Sequence, residues 1–387
     1  FSARQPQSLY DADTLISALT GRDSTAMKIN LKLAAAVIAA TASGAGTAWA
    51  HHPGVGGVSG SGGLLTIGAG TLDQGQFAFS TFVDYLRLKQ LSDATLLANA
   101  GNDVHGLQTV ESRALALAYG VTNDLTISMR LPWVRRTGIL EGVQEDPLDP
   151  PTVRDRGNTS GFGDVTLLGQ YRFLNNQVSG TQLAVLFGVK APTGRTNLVD
   201  PFGEIFETEF QPGSGSWDGL FGAALSQRLT PVLSFHANIL AIASGTGTQN
   251  SNLGSRFLYN AALGYRLFGE TANEPHSHDP RNANAHTGHG HSQMVTKAPK
   301  AVTYHPHVAL DALLEINGEW HEQQRVAGIA DPNSGGNTIF ISPGLRLTIE
   351  NLSSYVLVGL PVVNNPNGVQ ATASWRVLAG VSAVFGP

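Results

Sequence analysis

The stretch YGVTNDLTISMRLPWVRR, residues 119–136, decides the fold. Leu125, Ile127, Met129, Leu131 and Trp133 alternate with Thr126, Ser128 and Arg130. A repeat of two puts successive side chains on opposite faces of an extended strand, so this one has an apolar face and a polar face. The turn sequence GVTND, from residue 120, separates it from another alternating segment, Val110 to Tyr119. Two such runs around a tight turn read as an antiparallel hairpin.

The pattern recurs along the chain. It opens with Phe77, Phe79, Thr81, Val83 and Tyr85, and Val165, Leu167, Tyr171 and Phe173 later alternate with Asp164, Thr166, Gln170 and Arg172. Further segments run over 183–191, 217–227, 233–241, 257–267, 308–316, 339–349, 356–362 and 375–385, twelve in all. Short turns (GVTND at 120, LNNQVSG at 174, RLTP at 228) alternate with long Gly/Pro/Asp-rich connections, the longest from Pro192 to Ser216. That asymmetry is the signature of an all-β transmembrane antiparallel β-barrel with short periplasmic turns and long extracellular loops. An even strand count returns both ends to the periplasm, and the last strand ends on an aromatic, Phe385. A soluble sandwich would need two-sided burial, and would leave Trp133, Tyr171 and Trp375 unexplained as membrane-interface girdles. Pro343 lies inside a strand where it cannot donate to the ladder, so a bulge or bend is expected beside Gly344.

Composition agrees. The 387 residues include 45 Gly and no Cys, and only 14% are charged. Lack of Cys removes thiolate sites and suits an oxidising compartment. The net charge of -5 gives no reason to expect nucleic acid. From Met27 the sequence MKINLKLAAAVIAATASGAGTAWA has a basic start (Lys28, Lys32), an apolar run and Ala48-Trp49-Ala50, the pattern of a cleaved secretory signal. The expected layout is an upstream extension without function (1–26), a signal peptide (27–50), a Gly-rich periplasmic segment (51–75) that is mobile or forms a small lumen-facing piece, and an outer-membrane barrel (76–387), in a Gram-negative bacterium.

Several segments, YGVTNDLTISMRLPWVRR, GFGDVTLLGQYRF, VKAPTGRT, QPGSGSWDG and ISPGLRLTIENLSSYVLVGLPVV, together resemble the outer-membrane transporter family grouped under the meta-cleavage pathway of phenol degradation. The resemblance runs from about Leu107 to Phe385 and implies a β-barrel with a transport role and no defined catalytic residues. A His-rich insertion, residues 269–304, departs from it.

Strand parity nominates a lumen lining: Asp164, Gln170, Arg172, Lys190, Asp218, His236, Asn238, Arg256, Asn260, Arg266, Asp311, Glu315 and Arg346. Both signs occur, as in a hydrated or hydrogen-bonded interior; opposite charges could also pair and plug a narrow lumen. His276, His278, His286, His289, His291, His305 and His307 fall in or beside the insertion, which strand parity places in the periplasm. Imidazoles suit Zn, Cu(II) and Ni, but the intervening Pro, Gly and Asn encode no rigid frame, so weak capture and a solvated linker that binds nothing tightly both stay open, and no cofactor is required.

Enzyme motifs are incomplete. His321-Glu322-Gln323-Gln324-Arg325 lacks the second His of a zinc-protease helix, and the Gly188–Thr196 run lacks the Lys and spacing of a phosphate loop. A noncatalytic transporter or channel for a small solute, aromatic or metal-related, is the reading. The alternative is a closed barrel presenting a periplasmic metal-binding arm. Expected partners are outer-membrane lipid, the solute and a periplasmic efflux or metal-handling component.

Overall fold

The computed structural model describes residues 62–269 and 308–386. Twelve antiparallel strands close into a barrel. They are β1 (Phe77–Lys89), β2 (Thr109–Thr122), β3 (Leu125–Val143), β4 (Thr152–Phe162 continued by Val165–Asn176), β5 (Thr181–Ala191) and β6 (Asp218–Arg228). The second half is β7 (Leu233–Ser244), β8 (Arg256–Phe268), β9 (Val308–His321), β10 (Gly336–Ile349), β11 (Leu352–Pro366) and β12 (Thr372–Phe385). Each strand pairs with its sequence neighbours, and β12 closes on β1 with Phe77 opposite Phe385. Closure removes the unpaired edges that lipid could not satisfy. Among the described residues no helix is long and apolar enough to cross a membrane; the strands cross.

The barrel is inside-out relative to a water-soluble core. Phe77, Phe79, Leu115, Leu117, Tyr119, Ile127 and Met129 are exposed, whereas Ser80, Asp84, Ser112, Thr126 and Arg130 are buried. The alternation of each strand therefore sends apolar side chains to lipid and polar ones inward. Aromatics gather towards both rims of the apolar band: Phe77 packs on Tyr119 at the turn end, and Tyr85 stacks on Trp375 nearer the loop end.

Two features differ from the sequence reading and a third completes it. The connection after Trp133 is not an irregular loop: β3 continues to Val143 and β4 begins at Thr152, forming a two-stranded extension beyond the membrane band. Pro132, Gly138 and Gly157 interrupt the alternation there, which hides the strands. Pro343 makes no bulge. The β10–β11 ladder passes over Ser342 and Pro343 without changing register, and the shift falls at Ile339/Phe340. Lastly, residues from Gly62 to Leu72 take the second of the two places open to the Gly-rich segment, the lumen, and cross the inside of the barrel. Their backbone N–H groups need acceptors, and inward side chains of β3, β6, β7 and β9 supply them.

Candidate functional site: the barrel lumen

Two segments occupy the lumen. The first is residues 62–72. Glu315 on β9 accepts from the backbone N–H of Leu64, from that of Leu65 (3.1 Å) and Thr66 (3.0 Å), and from the Thr66 hydroxyl (2.9 Å). Asn238 on β7 then accepts from Ile67 N–H at 2.8 Å, Ser226 on β6 from Ala69 N–H at 2.8 Å, and Thr126 on β3 from Leu72 N–H at 2.9 Å. Gln170 on β4 donates to the carbonyls of Gly68 and Gly70, and Arg346 on β10 donates to that of Gly62. The apolar side chains of the segment find inward pockets: Leu64 and Leu65 among Phe82, Leu313, Leu357 and Leu378, and Ile67 beside Leu186, Leu220 and Leu240. Its glycines permit the close approach. A Cβ on Gly63 would sit 2.5 Å from the Glu315 carboxylate.

The second segment is the loop between β5 and β6, residues 192–217, which folds into the extracellular mouth. Phe206 and Phe210 pack with Leu86, Leu107, Val134, Ile139 and Phe340, all inward. Arg136 on β3 donates to the carbonyl of Gln211 at 3.1 Å, and Thr159 on β4 to that of Phe210 at 2.8 Å. At the base of the loop Asp164 accepts from Gly194 N–H, Ser214 N–H and the Ser214 hydroxyl. Lys190 lies between Asp164 (3.3 Å) and Asp218 (2.7 Å) and donates to Ser214. The two ends of the loop cross so closely that a Cβ on Gly194 would come within 2.6 Å of Gly213 Cα. Three of the family-like segments, GFGDVT, VKAPTGRT and QPGSGSWDG, thus meet at one buried junction.

Farther out on this loop, Asp200 would be raised by burial alone. The N–H groups of Glu204 and Phe202 and the Arg156 guanidinium instead hold it below the usual carboxylate range. Burial pushes Glu209 up to about 7, against the pull of His105.

All thirteen nominated lumen residues have places in this interior. Asp164, Lys190 and Asp218 form the loop junction; Gln170, Asn238, Glu315 and Arg346 hold the first segment. Asp311 links Arg266 and Arg346, Arg256 pairs with Glu319, and Asn260 lies between Asn238 and Asn317. His236 contacts Ser226 and Ser234. Arg172 turns to Asp124 at the periplasmic rim. Sequence reading passed over Asp84 and Arg376, a buried pair joining β1 to β12 across the closure seam. Their polar parity beside Val83, Tyr85, Trp375 and Val377 was the available signal. The seven nominated metal-binding histidines lie outside the described residues.

Beneath the first segment opens a periplasmic vestibule of ≈ 930 Å³. Arg172, Arg228, Arg266 and Arg346 line it against Asp73 and Asp311, with His236 in the wall. Counting Asp124, with which Arg172 pairs, four guanidiniums face three carboxylates, a small positive excess that favours anions at this mouth.

A model of the family described as "Putative MetA-pathway of phenol degradation" matches residues 61–275, more than half of the chain. The chain belongs to that family. Among solved structures, an outer-membrane channel from Pseudomonas putida F1 is 17% identical with a TM-score of 0.50, covering 82% of this chain and 98% of that one. The CymD monoaromatic hydrocarbon channel (10% identity, TM-score 0.38, 86% and 98% covered) and a Pseudomonas aeruginosa FadL homologue (8%, 0.39, 87% and 99%) are more distant. Only the first supports the fold, as an outer-membrane barrel. No curated protein matches the chain.

Proposed function

We propose that the protein is an outer-membrane channel that passes a small solute through its lumen, and that residues 62–72 act as the displaceable plug. One observation carries this reading: the lumen wall is complete without the segment, which is held there by hydrogen bonds to inward side chains. Such bonds can be exchanged for bonds to water at a modest net cost, about 0.5–1.5 kcal/mol each between neutral groups. Family membership favours an aromatic compound of phenol degradation as cargo, and the arginine-rich vestibule favours one bearing a negative charge. On this reading the protein works as a channel and not as an enzyme. Its leader is removed after Ala50, and its partners are lipid, the solute and a periplasmic handling component.

Planar-bilayer recording tests this. A variant lacking residues 53–72 should conduct substantially more than the parent, prefer anions, and admit benzoate faster than a neutral sugar of similar size. Equal conductance of the two forms refutes the plug. A rise in conductance without anion preference refutes the assignment of cargo charge.

A further inference from the structure

At the extracellular mouth, away from the vestibule, three distant parts of the sequence bring ligand-type side chains together. His105 lies in the connection between β1 and β2, Glu141 on the outer part of β3, and Glu207 on the inserted loop. Their candidate donor atoms all lie within 4.8 Å of one another. His105 Nε2 is 3.2 Å from a Glu207 oxygen and 4.0 Å from Glu141 Oε1. Clusters of acids are common on surfaces, and this one would mean little without the state of the histidine. The His105 side chain is only 6% exposed, and its Nε2 makes no hydrogen bond to any described residue. A buried ring nitrogen aimed between two carboxylates, with neither aligned to it, is poorly used as it stands.

We propose that His105 Nε2, Glu141 and Glu207 bind a divalent transition cation of the zinc class, which clips the inserted loop to the barrel wall. The donor set fits such an ion. Mixed imidazole and carboxylate ligands suit zinc better than calcium, which takes oxygens. With metal–ligand bonds of about 2.0–2.1 Å, donors at the corners of a tetrahedron stand ~3.3 Å apart, so the observed 3.2 and 4.0 Å need less than about 1 Å of adjustment. Neighbouring groups support the ligands. Arg156 donates to Glu141 Oε2, leaving Oε1 on the histidine side. Glu209 Oε1 lies 3.8 Å from His105 Nδ1, on the opposite side of the ring. At 3.8 Å it makes no hydrogen bond, but an acid on that side favours the tautomer protonated at Nδ1, which leaves Nε2 for a metal. Phe210 packs edge-on against the ring and limits its rotation.

Hydrogen–deuterium exchange on the full chain in detergent reads this site locally, apart from any metal held by the His-rich segment. Zinc chloride should slow exchange across residues 199–211 relative to a chelator-treated sample, and calcium chloride should not. In His105→Gln and in Glu207→Gln, the zinc concentration giving half the protection should rise at least about tenfold. The heat-dependent gel shift of a folded barrel serves as the folding control. Should one variant fail that control, the other and the parent's own response still decide. No zinc effect in the parent overturns the proposal, as does an undiminished effect in the folded variants. Equal protection by calcium overturns the nitrogen-ligated assignment.

Discussion

Glu315→Gln isolates what holds the plug. In the parent, the carboxylate accepts from Leu64, Leu65 and Thr66 and from Asn317, all within a buried site. Hydrogen bonds to a charged acceptor contribute about 1.5–3 kcal/mol each, though bonds sharing one group do not add. The amide keeps one acceptor oxygen but turns an NH2 towards backbone donors, so at least one N–H loses its partner. A loss of about 2–3 kcal/mol in docking is reasonable, which raises the ratio of undocked to docked plug roughly 30–160-fold. The chain has no cysteine, so Leu65→Cys provides a single buried reporter. Its labelling by a water-soluble maleimide follows the undocked population when redocking is fast. Labelling should accelerate by that factor in the double variant relative to Leu65→Cys alone, with more frequent openings in bilayers. A change below about threefold would show that Glu315 does not hold the segment.

Three further outcomes are expected. Leu148, 92% exposed in the β3–β4 loop, and Val178, 98% exposed in the β4–β5 turn, should differ as cysteines in intact cells: an impermeant maleimide should label position 148 and not 178. Arg376→Met should lower the temperature at which the folded gel band is lost. It leaves Asp84, 1% exposed, without its ion-pair partner, a defect worth about 3–5 kcal/mol. Deleting residues 274–293 should remove the weak Zn, Cu(II) or Ni binding in calorimetry and leave that of the His105 site, while the barrel still folds; unchanged weak binding would assign that run to a linker.

The twelve strands were legible because a strand facing lipid on one side and a polar lumen on the other must alternate, and alternation survives in one sequence. The same rule nominated the interior residues, and applied more strictly it would have added Asp84 and Arg376. The contacts of the lumen contents were not legible. GGLLTIGAGTL has no period, and its partners lie 52 to 284 positions away. Phe206 and Phe210 sit in a Gly/Pro-rich run that reads as an exposed loop, yet both are buried. His105 stands alone in the sequence, and Glu141 and Glu207 reach it only through the fold.

The two inserted segments are anchored by different physics, and the difference indicates which one moves. The loop at the extracellular mouth is tied at its base by Lys190 between two buried carboxylates, by backbones in contact at Gly194 and Gly213, and by Phe206 and Phe210 in an apolar cluster. Lifting it would strip Asp164 and Lys190 of their bonds to Gly194 and Ser214, part Arg156 from the loop's Asp200 and expose aromatic surface, all costly in a narrow mouth. The segment at 62–72 is tied by side chains that accept from its backbone, most of them neutral. Water entering from the vestibule can replace those bonds one at a time. Glu315 and, at Gly62, Arg346 bring charge to the contact, and both stay on the wall when the segment leaves, where Asn317 still donates to Glu315 and Asp311 still pairs with Arg346. The loop is therefore the fixed constriction and the N-terminal segment the movable one. A solute coming through the mouth meets a filter set by the loop, and leaves through a vestibule whose arginines are already paired in part to Asp311.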